Sequence, residues 1–180
     1  YVASFYQHRV FRIDLSNGNC DWSASLRYAR QVSIAQNFLY AAGNGGMVTY
    51  NISGATPSKV NCSFSGSLSN YGRYYGQTPD YKRENFYVQY YRYLYRHTIG
   101  SNGCINTSYS SRIPVGNWYY SYGMDHHPSN EFILYGNDWT NHRVSKVTLN
   151  SSRNRYTTMK NVGRYGSCLL YTSDAADEKR

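Results

Sequence analysis

The sequence predicts an all-β protein built from short strands that recur in a common order. The 180 residues include 22 Tyr, and Tyr, Val, Ile, Thr and Phe favour strands. The strong helix formers Ala, Leu, Glu and Lys are few. No segment shows the apolar period of an amphipathic helix, and no apolar run reaches the roughly 20 residues that a membrane helix needs.

A hairpin pattern appears four times along the chain. "RVSKVTLNSS" at residues 143–152 has counterparts in "RVFRIDLSNG", "GMVTYNISGA" and "YLYRHTIGSN". Each closes an alternating strand on an aliphatic residue, followed by a polar turn; these closing residues are Leu15, Ile52, Ile99 and Leu149. A second strand precedes each one, in "YVASFY", "FLYAAG", "FYVQYY" and "FILYG". Two strands joined by a short turn form a β-hairpin.

The hairpins are joined by further strand-like segments. "KVNCSFS", "CINTSYS" and "RYTTMKN" follow three of them, and "RQVSIAQ", "YYGQTPDYKRE" and "YYSYGMDHHPSNE" lead to the next hairpin. Four short strands in roughly 40–50 residues are typical of a β-propeller blade. We therefore predict a β-propeller fragment of about four blades, each of four antiparallel strands, in an incomplete ring. The predicted units lie near 1–37, 38–84, 85–131 and 132–167, and a β-sandwich is the alternative.

Two stretches resemble the YWTD repeat of the low-density-lipoprotein-receptor class B propellers. That repeat runs Tyr-Trp-Thr-Asp, Trp, a turn and then an apolar-x-Arg-x-x-Leu strand. The matching residues are Tyr135, Asp138, Trp139, Arg143, Val144, Lys146 and Leu149, and again Tyr1, Phe5, Arg9, Val10, Arg12 and Leu15. "YGND" and "YVAS" stand in place of the signature itself. The resemblance implies a six-bladed propeller of the YWTD or TolB-like kind over most of residues 1–167, with further sequence closing the ring.

The last residues differ in composition from the rest of the chain. "CLLYTSDAADE", residues 168–178, resembles the translation of a transposon-end adapter used in sequencing libraries. We therefore expect residues 168–180 to form a non-native tail outside the fold. Without this tail three cysteines remain, Cys20, Cys62 and Cys104, and their odd number leaves the disulfide state open.

Two segments are candidates for a ligand site, because the innermost strands of a propeller surround a central channel. These segments are "YYGQTPDYKRE" and "YYSYGMDHHPSNE". The candidate ligand-binding residues in them are Tyr75, Asp80, Tyr122, Asp125 and His126. The alternative is that these side chains bond to the backbone of their own loops.

Three aromatic residues begin the second strands of the predicted blades. They are Phe38, Phe86 and Phe132, and we expect them to pack between neighbouring blades.

No catalytic residue, metal site or cofactor is predicted. His126 and His127 are adjacent, and adjacent residues of a strand point to opposite faces, so they could share an ion only from a loop. The sequence contains no GxSxG nucleophile elbow. Its acidic residues are scattered rather than grouped as a calcium site requires.

The net charge of +9 and the mixture of Arg and Tyr in "YYRYLYRH" suit a nucleic-acid or other polyanion binder. However, Arg12, Arg96 and Lys146 occupy the same position of the predicted unit. Such placement favours a solvated stripe on the surface. Nucleic acid is therefore the less favoured partner.

The Tyr-rich loops favour recognition of a protein or a carbohydrate, since tyrosine offers a large and rigid contact area. We predict a non-catalytic recognition module in an extracellular or cell-surface setting. The competing hypothesis is a propeller enzyme, of hydrolase or lyase type, with a polar central tunnel. Four N-x-S/T sequons, at Asn51, Asn61, Asn106 and Asn150, are close to the number expected by chance and do not decide the setting.

Overall fold

The structure, a computed structural model, describes residues 1–44, 46–62, 76–116, 121, 123–138 and 141–163. These ranges contain strands and turns and no helix, so the all-β prediction is confirmed. The strands form four antiparallel sheets.

The sheets follow one another along the chain. The first contains β1 (Val2–Ser4), β2 (Arg9–Ile13) and β3 (Cys20–Ser25). The second contains β4 (Gln31–Ala35), β5 (Phe38–Gly43), β6 (Gly46–Asn51) and β7 (Ser58–Lys59). The third contains β8 (Gln77–Pro79), β9 (Asn85–Tyr90), β10 (Tyr93–Ile99) and β11 (Ile105–Pro114). The fourth contains β12 (Met124–His127), β13 (Asn130–Asp138), β14 (Arg143–Leu149) and β15 (Tyr156–Val162).

The opening strands of the sheets lie beside one another. β4 contacts β8, β8 contacts β12, and β1 lies against β4. The sheets are therefore arranged around a common axis with β4, β8 and β12 innermost, which is the arrangement of propeller blades. In the second, third and fourth sheets the third strand is β6, β10 and β14, respectively. The repeated hairpin pattern aligns β2 with these strands, although β2 is only the second strand of the first sheet. Within the described residues, the first sheet thus has no counterpart of the innermost strand.

Each inner sheet buries both faces against its neighbours. Along β5, Leu39 and Ala41 face the first sheet, whereas Tyr40 and Ala42 face the third. Alternation of this kind follows from the two-residue period of a strand. In the part of the chain that the structure describes, it produces three separate cores, one between each pair of successive sheets. Full burial of one Leu or Phe side chain in such a core contributes roughly 1.5–3 kcal/mol.

The two terminal sheets leave one face uncovered, so the ring is open. On the fourth sheet, Val144 and Val162 are 51 % and 59 % exposed. On the first sheet, Val2 and Ile13 are exposed as well. The predicted open propeller fragment is confirmed in this respect.

Two of the three predicted inter-blade aromatics lie between the second and third sheets. Phe86 is fully buried with its ring 5.2 Å from that of Tyr40. Phe38 packs on Gly103 so closely that a Cβ at this position would overlap its ring, and Gly103 also has a positive φ of 83°. Glycine is required there on both counts. Phe132 lies under the guanidinium of Arg153, which is 5.0 Å from its ring centre.

A disulfide links the second and third sheets. Cys62 and Cys104 are joined, with their Cα atoms 5.4 Å apart, and Cys20 is a free, exposed thiol. The structure therefore pairs two of the three cysteines whose state the sequence left open.

The basic stripe has a structural role at two of its positions. Arg12 pairs with Asp21 of the adjacent strand at 2.8 Å. Arg96 donates to the carbonyl oxygen of Ser152 at 2.9 Å and so joins the third sheet to the fourth. Lys146 is partly exposed.

Candidate functional site

A cavity of about 500 Å³ lies between the innermost strands β4 and β12. Its lining combines aliphatic and polar side chains: Tyr1, Val32, Ser33, Ile34, Met124, Asp125, His126 and Pro128. The cavity is positioned by the fold, because β4 and β12 belong to different sheets and are brought together only by the radial arrangement of the strands.

The imidazole of His126 is held by two groups at one nitrogen. Its Nδ1 lies 3.2 Å from Thr78 Oγ1 on β8 and 3.4 Å from Asp125 Oδ1. The Thr78 hydroxyl donates its hydrogen to the carbonyl of Pro79 at 3.1 Å, so its oxygen accepts from Nδ1–H. This arrangement favours the tautomer with the proton on Nδ1. Nε2 then remains as a hydrogen-bond acceptor for a ligand in the cavity.

Asp125 is the acidic residue among those that line the cavity, and its side chain is 77 % exposed. One carboxylate oxygen accepts the backbone N–H of His126 at 2.8 Å. Asp125 also lines a second cavity of about 370 Å³ beside β13 and β14. A carboxylate at the junction of two cavities can accept hydrogen bonds from hydroxyl, amide or ammonium groups of a ligand.

Gln31 fixes the inner strands at one end of the cavity. Its amide nitrogen donates to the carbonyl oxygens of Gln77, on β8, and of Met124, on β12, the latter at 2.7 Å. Its amide oxygen accepts the N–H of Gln77 at 3.1 Å. Ser33 adds a bond from its hydroxyl to the same Gln77 carbonyl at 3.2 Å. One side chain of β4 thus satisfies backbone groups on the free edges of both other inner strands.

Sequence reasoning missed Gln31, Ser33 and Thr78. Gln31 and Ser33 lie in "RQVSIAQ", which precedes a second strand just as "YYGQTPDYKRE" does. Because the two segments occupy equivalent positions in the repeat, Gln31 and Ser33 could have been identified as candidate residues from the sequence. Thr78 stands two residues before Asp80 in a segment already singled out.

Asp80 lies in a turn rather than at the cavity. It is fully buried, and its carboxylate accepts the backbone N–H of Glu84 at 2.9 Å and the amide of Asn85 at 2.7 Å. These bonds fix the turn between β8 and β9. Tyr75 and Tyr122 fall outside the described residues. Asp125 and His126, which are adjacent in the sequence, thus line the cavity, whereas Asp80 does not.

The two adjacent histidines have different surroundings. His127 stacks on Tyr135 with ring centres 6.2 Å apart, and its Nδ1 accepts the N–H of Ser129 at 3.2 Å. His126 bonds to Thr78 instead. Among the described residues, no three His, Cys, Asp or Glu side chains are grouped as metal ligands would be.

The phenols of Tyr40 and Tyr87, buried between the sheets, are neutral at physiological pH. Burial raises the pKa of Tyr40 to about 12 and raises the pKa of Tyr87 as well. Neither hydroxyl can therefore act as a base near pH 7.

Comparison with solved structures supports the propeller architecture. A protein from Lactobacillus plantarum matches 84 % of this chain with 15 % identity and a TM-score of 0.56. A putative 6-phosphogluconolactonase from Bacteroides fragilis matches 87 % with 8 % identity and a TM-score of 0.57. The Cps50 (Swd1) beta-propeller domain of Myceliophteria thermophila matches 79 % with 12 % identity and a TM-score of 0.56.

These similarities define the class of protein as a β-propeller and extend no further than the fold. The matched parts are 48 %, 52 % and 48 % of those three chains, so this chain spans about half their length. No family model and no curated protein matches the sequence. The part of the chain that the structure describes has no helix long and apolar enough to span a membrane.

Proposed function

We propose that this chain is a non-catalytic recognition module that binds a protein or glycan ligand at the axial cavity. The observation that carries the proposal is the orientation of His126. Thr78 and Asp125 hold its Nδ1, so that Nε2 and the exposed carboxylate of Asp125 are available to one ligand. Convergent polar groups on an otherwise aliphatic lining are typical of binding sites.

The lining is suited to a ligand with both polar and apolar faces. Val32, Ile34 and Met124 offer apolar contact, while Asp125 and Nε2 of His126 accept hydrogen bonds. Sugar rings and protein side chains with N–H or O–H donors have this character. Tyr75 and Tyr122, which flank β8 and β12 in sequence, remain predicted contributors to the same site.

The disulfide supports an extracellular or cell-surface setting. Disulfides persist in oxidising compartments and are rare in the cytosol. The Cys62–Cys104 bond joins two blades, so it belongs to the folded scaffold rather than to a catalytic pair.

We also infer kinship with the YWTD or TolB-like propellers from one local arrangement. Asp138 is buried, and its carboxylate accepts from Arg143 Nε at 2.9 Å and from Asn141 Nδ2 at 2.7 Å. Asp138 and Arg143 are residues on which the resemblance depends, and here they fix one hairpin turn. On this reading residues 1–167 are blades of a larger ring, and residues 168–180 are no part of it.

A binding screen tests the proposed site. The labelled chain is applied to immobilised neutral and acidic oligosaccharides and to a panel of extracellular proteins. We expect the strongest binder to lose at least about tenfold in affinity on Asp125→Ala with His126→Ala, since two ligand hydrogen bonds are removed. His127→Ala is the matched control and should bind as the wild type does. Equal binding by the double variant would refute the axial site.

The enzyme alternative rests on the same polar cluster, and one of the structural matches is a putative lactonase. It predicts that the bound ligand is chemically changed during incubation, in a manner that depends on His126. The polyanion alternative predicts retention on immobilised heparin that falls steeply with salt. Intact ligand and retention that ignores salt favour the recognition module over both.

A further inference from the structure

The four sequons lie in different structural surroundings, which indicate whether each asparagine has room for a glycan. Asn150 uses both ends of its amide: Nδ2 donates to Asn154 Oδ1 at 2.9 Å, and Oδ1 accepts the N–H of Asn154 at 3.0 Å. A sugar on Nδ2 would replace one of its two hydrogens and would have to fit beside the bond to Asn154 in the turn between β14 and β15. The Ser63 hydroxyl of the Asn61 sequon lies outside the described residues.

Asn51 is confined by the neighbouring sheet. It lies on β6, between β5 and β7, and pairs directly with Phe38. Side chains opposite each other on adjacent strands share a face, and the ring of Phe38 packs on Gly103 of the third sheet. A sugar on partly buried Asn51 would therefore meet the second–third interface.

Asn106 has the opposite surroundings. It is exposed and lies near the start of β11, which is the outer strand of the third sheet. The pairing of β10 with β11 runs from Ile99↔Ile105 to His97↔Tyr109, so the sequon residues 106–108 form a bulge. Oδ1 of Asn106 accepts the N–H of Ser108 at 3.2 Å, and Nδ2 has no hydrogen-bond partner among the described residues.

The bulge is anchored from inside the sheet. Nδ1 of His97, which is fully buried, lies 2.9 Å from the carbonyl oxygen of Asn106. The backbone of the sequon is thereby held while its side chain stays outside. Of the sequons that the structure describes in full, Asn106 is thus the one whose amide can carry a glycan without disturbing another contact.

We propose that Asn106 is an N-glycosylation site that covers the outer edge of the third sheet. Nδ2 of Asn106 would form a bond to C1 of the first sugar of a lipid-diphosphate-linked oligosaccharide. The C1–oxygen bond breaks, the electron pair leaves with the lipid diphosphate, and the amide loses one proton to the transferase. The attached glycan would block strand addition at β11, which is an exposed sheet edge.

This proposal rests on the extracellular setting proposed above, but its test does not depend on ligand binding. The chain is secreted from insect cells behind a cleavable leader, and its mass is measured before and after treatment with peptide N-glycosidase. We expect a glycan that maps to residue 106. Asn106→Gln and Ser108→Ala should both remove it, because the first replaces the asparagine of the sequon and the second replaces its serine.

Asn150→Gln is the matched control and should leave the glycan mass unchanged. Peptide mapping of the Cys62–Cys104 disulfide reports correct folding in every variant. A disulfide-bonded protein with an unmodified Asn106, or a glycan that Asn150→Gln removes, would overturn the proposal. If the protein carries a glycan at Asn106 but binds no ligand in the screen described above, that result would count against the proposed function alone.

Discussion

The interface between the second and third sheets and the interface between the third and fourth sheets have the same kind of apolar core, but they are cross-linked differently. Phe86 and Val88 pack with the second sheet, whereas Tyr87 and Leu94 pack with the fourth. Beyond these cores, the second–third interface is closed by the Cys62–Cys104 disulfide. Hydrogen bonds cross both interfaces, but in the described residues the ion pairs between these sheets lie at the third–fourth interface.

The charged links form a small network between the turns of the two sheets. Lys82 pairs with Glu131 at 2.6 Å, and Arg153 pairs with Glu84 at 3.2 Å and with Glu131 at 3.9 Å. Arg96 adds its bond to the Ser152 carbonyl.

This difference shows that the packing between blades and the cross-links between blades are separate properties of this fold. Apolar cores fix which faces meet, because burial is favourable for any well-shaped contact. A disulfide does not respond to salt or to moderate acid, whereas exposed ion pairs weaken with both. The two interfaces should therefore fail under different conditions.

Removing a core side chain should give the largest effect at either interface. Phe86→Ala is expected to lower the free energy of unfolding by about 3–5 kcal/mol, and Leu134→Ala by about 2–5 kcal/mol. Both side chains are fully buried. Urea unfolding followed by tyrosine fluorescence measures the loss, with exposed Val162→Ala as a control that should change by less than about 0.5 kcal/mol.

Because the chain is an open ring, Phe86→Ala could be too unstable to measure. Phe86→Leu keeps most of the volume and should cost no more than about 1.5 kcal/mol. A Phe86→Leu protein as stable as the wild type, together with a stable Phe86→Ala, would contradict the packing described for this interface.

Breaking the disulfide should have the next largest effect. Cys62→Ala with Cys104→Ala is expected to lower the free energy of unfolding by about 2–4 kcal/mol, because the loop between the two residues is released in the unfolded chain. A reducing agent should destabilise the wild type by a similar amount and leave the double variant unchanged. Cys20→Ala, the control, should behave as the wild type, and an equal loss there would contradict the assigned pairing.

The smallest effects should appear on acidification, in a different pH range for each interface. Burial lowers the pKa of His97, on the second–third side, below its usual 6.5. The hydrogen bond from Lys82 lowers the pKa of Glu131, on the third–fourth side, below 4.5. In each case the unfolded chain binds a proton more readily, so stability present above the unfolded pKa is lost as the pH falls.

Urea unfolding at successive pH values separates the two groups. The wild type should lose stability below about pH 6.5 and again below about pH 4.5. His97→Gln should remove the first loss and Glu131→Gln the second. High salt should weaken the second response only. A single transition shared by both variants would contradict the assignment of one titrating group to each interface.

Short-range sequence patterns were sufficient to predict part of the fold. The aliphatic residues Ile99 and Leu149 end strands β10 and β14, as the hairpin pattern predicts. Leu15 and Ile52 do not end strands, because β2 stops at Ile13 and β6 at Asn51. Phe38 and Phe86 lie between blades because strand alternation places each on the face that packs in the second–third core. Of the residues proposed for a ligand site, Asp125 and His126 line the cavity, whereas Asp80 fixes a turn; their role in binding stays a prediction.

Local sequence determined the strands and their alternation, because a two-residue period and a turn are encoded within a few neighbouring residues. The tertiary structure decided which distant residues meet. Cys62 pairs with Cys104, Gln31 joins three inner strands, and Thr78 holds His126. Such contacts depend on the order and angle of whole sheets around the axis, which no single stretch of the chain contains.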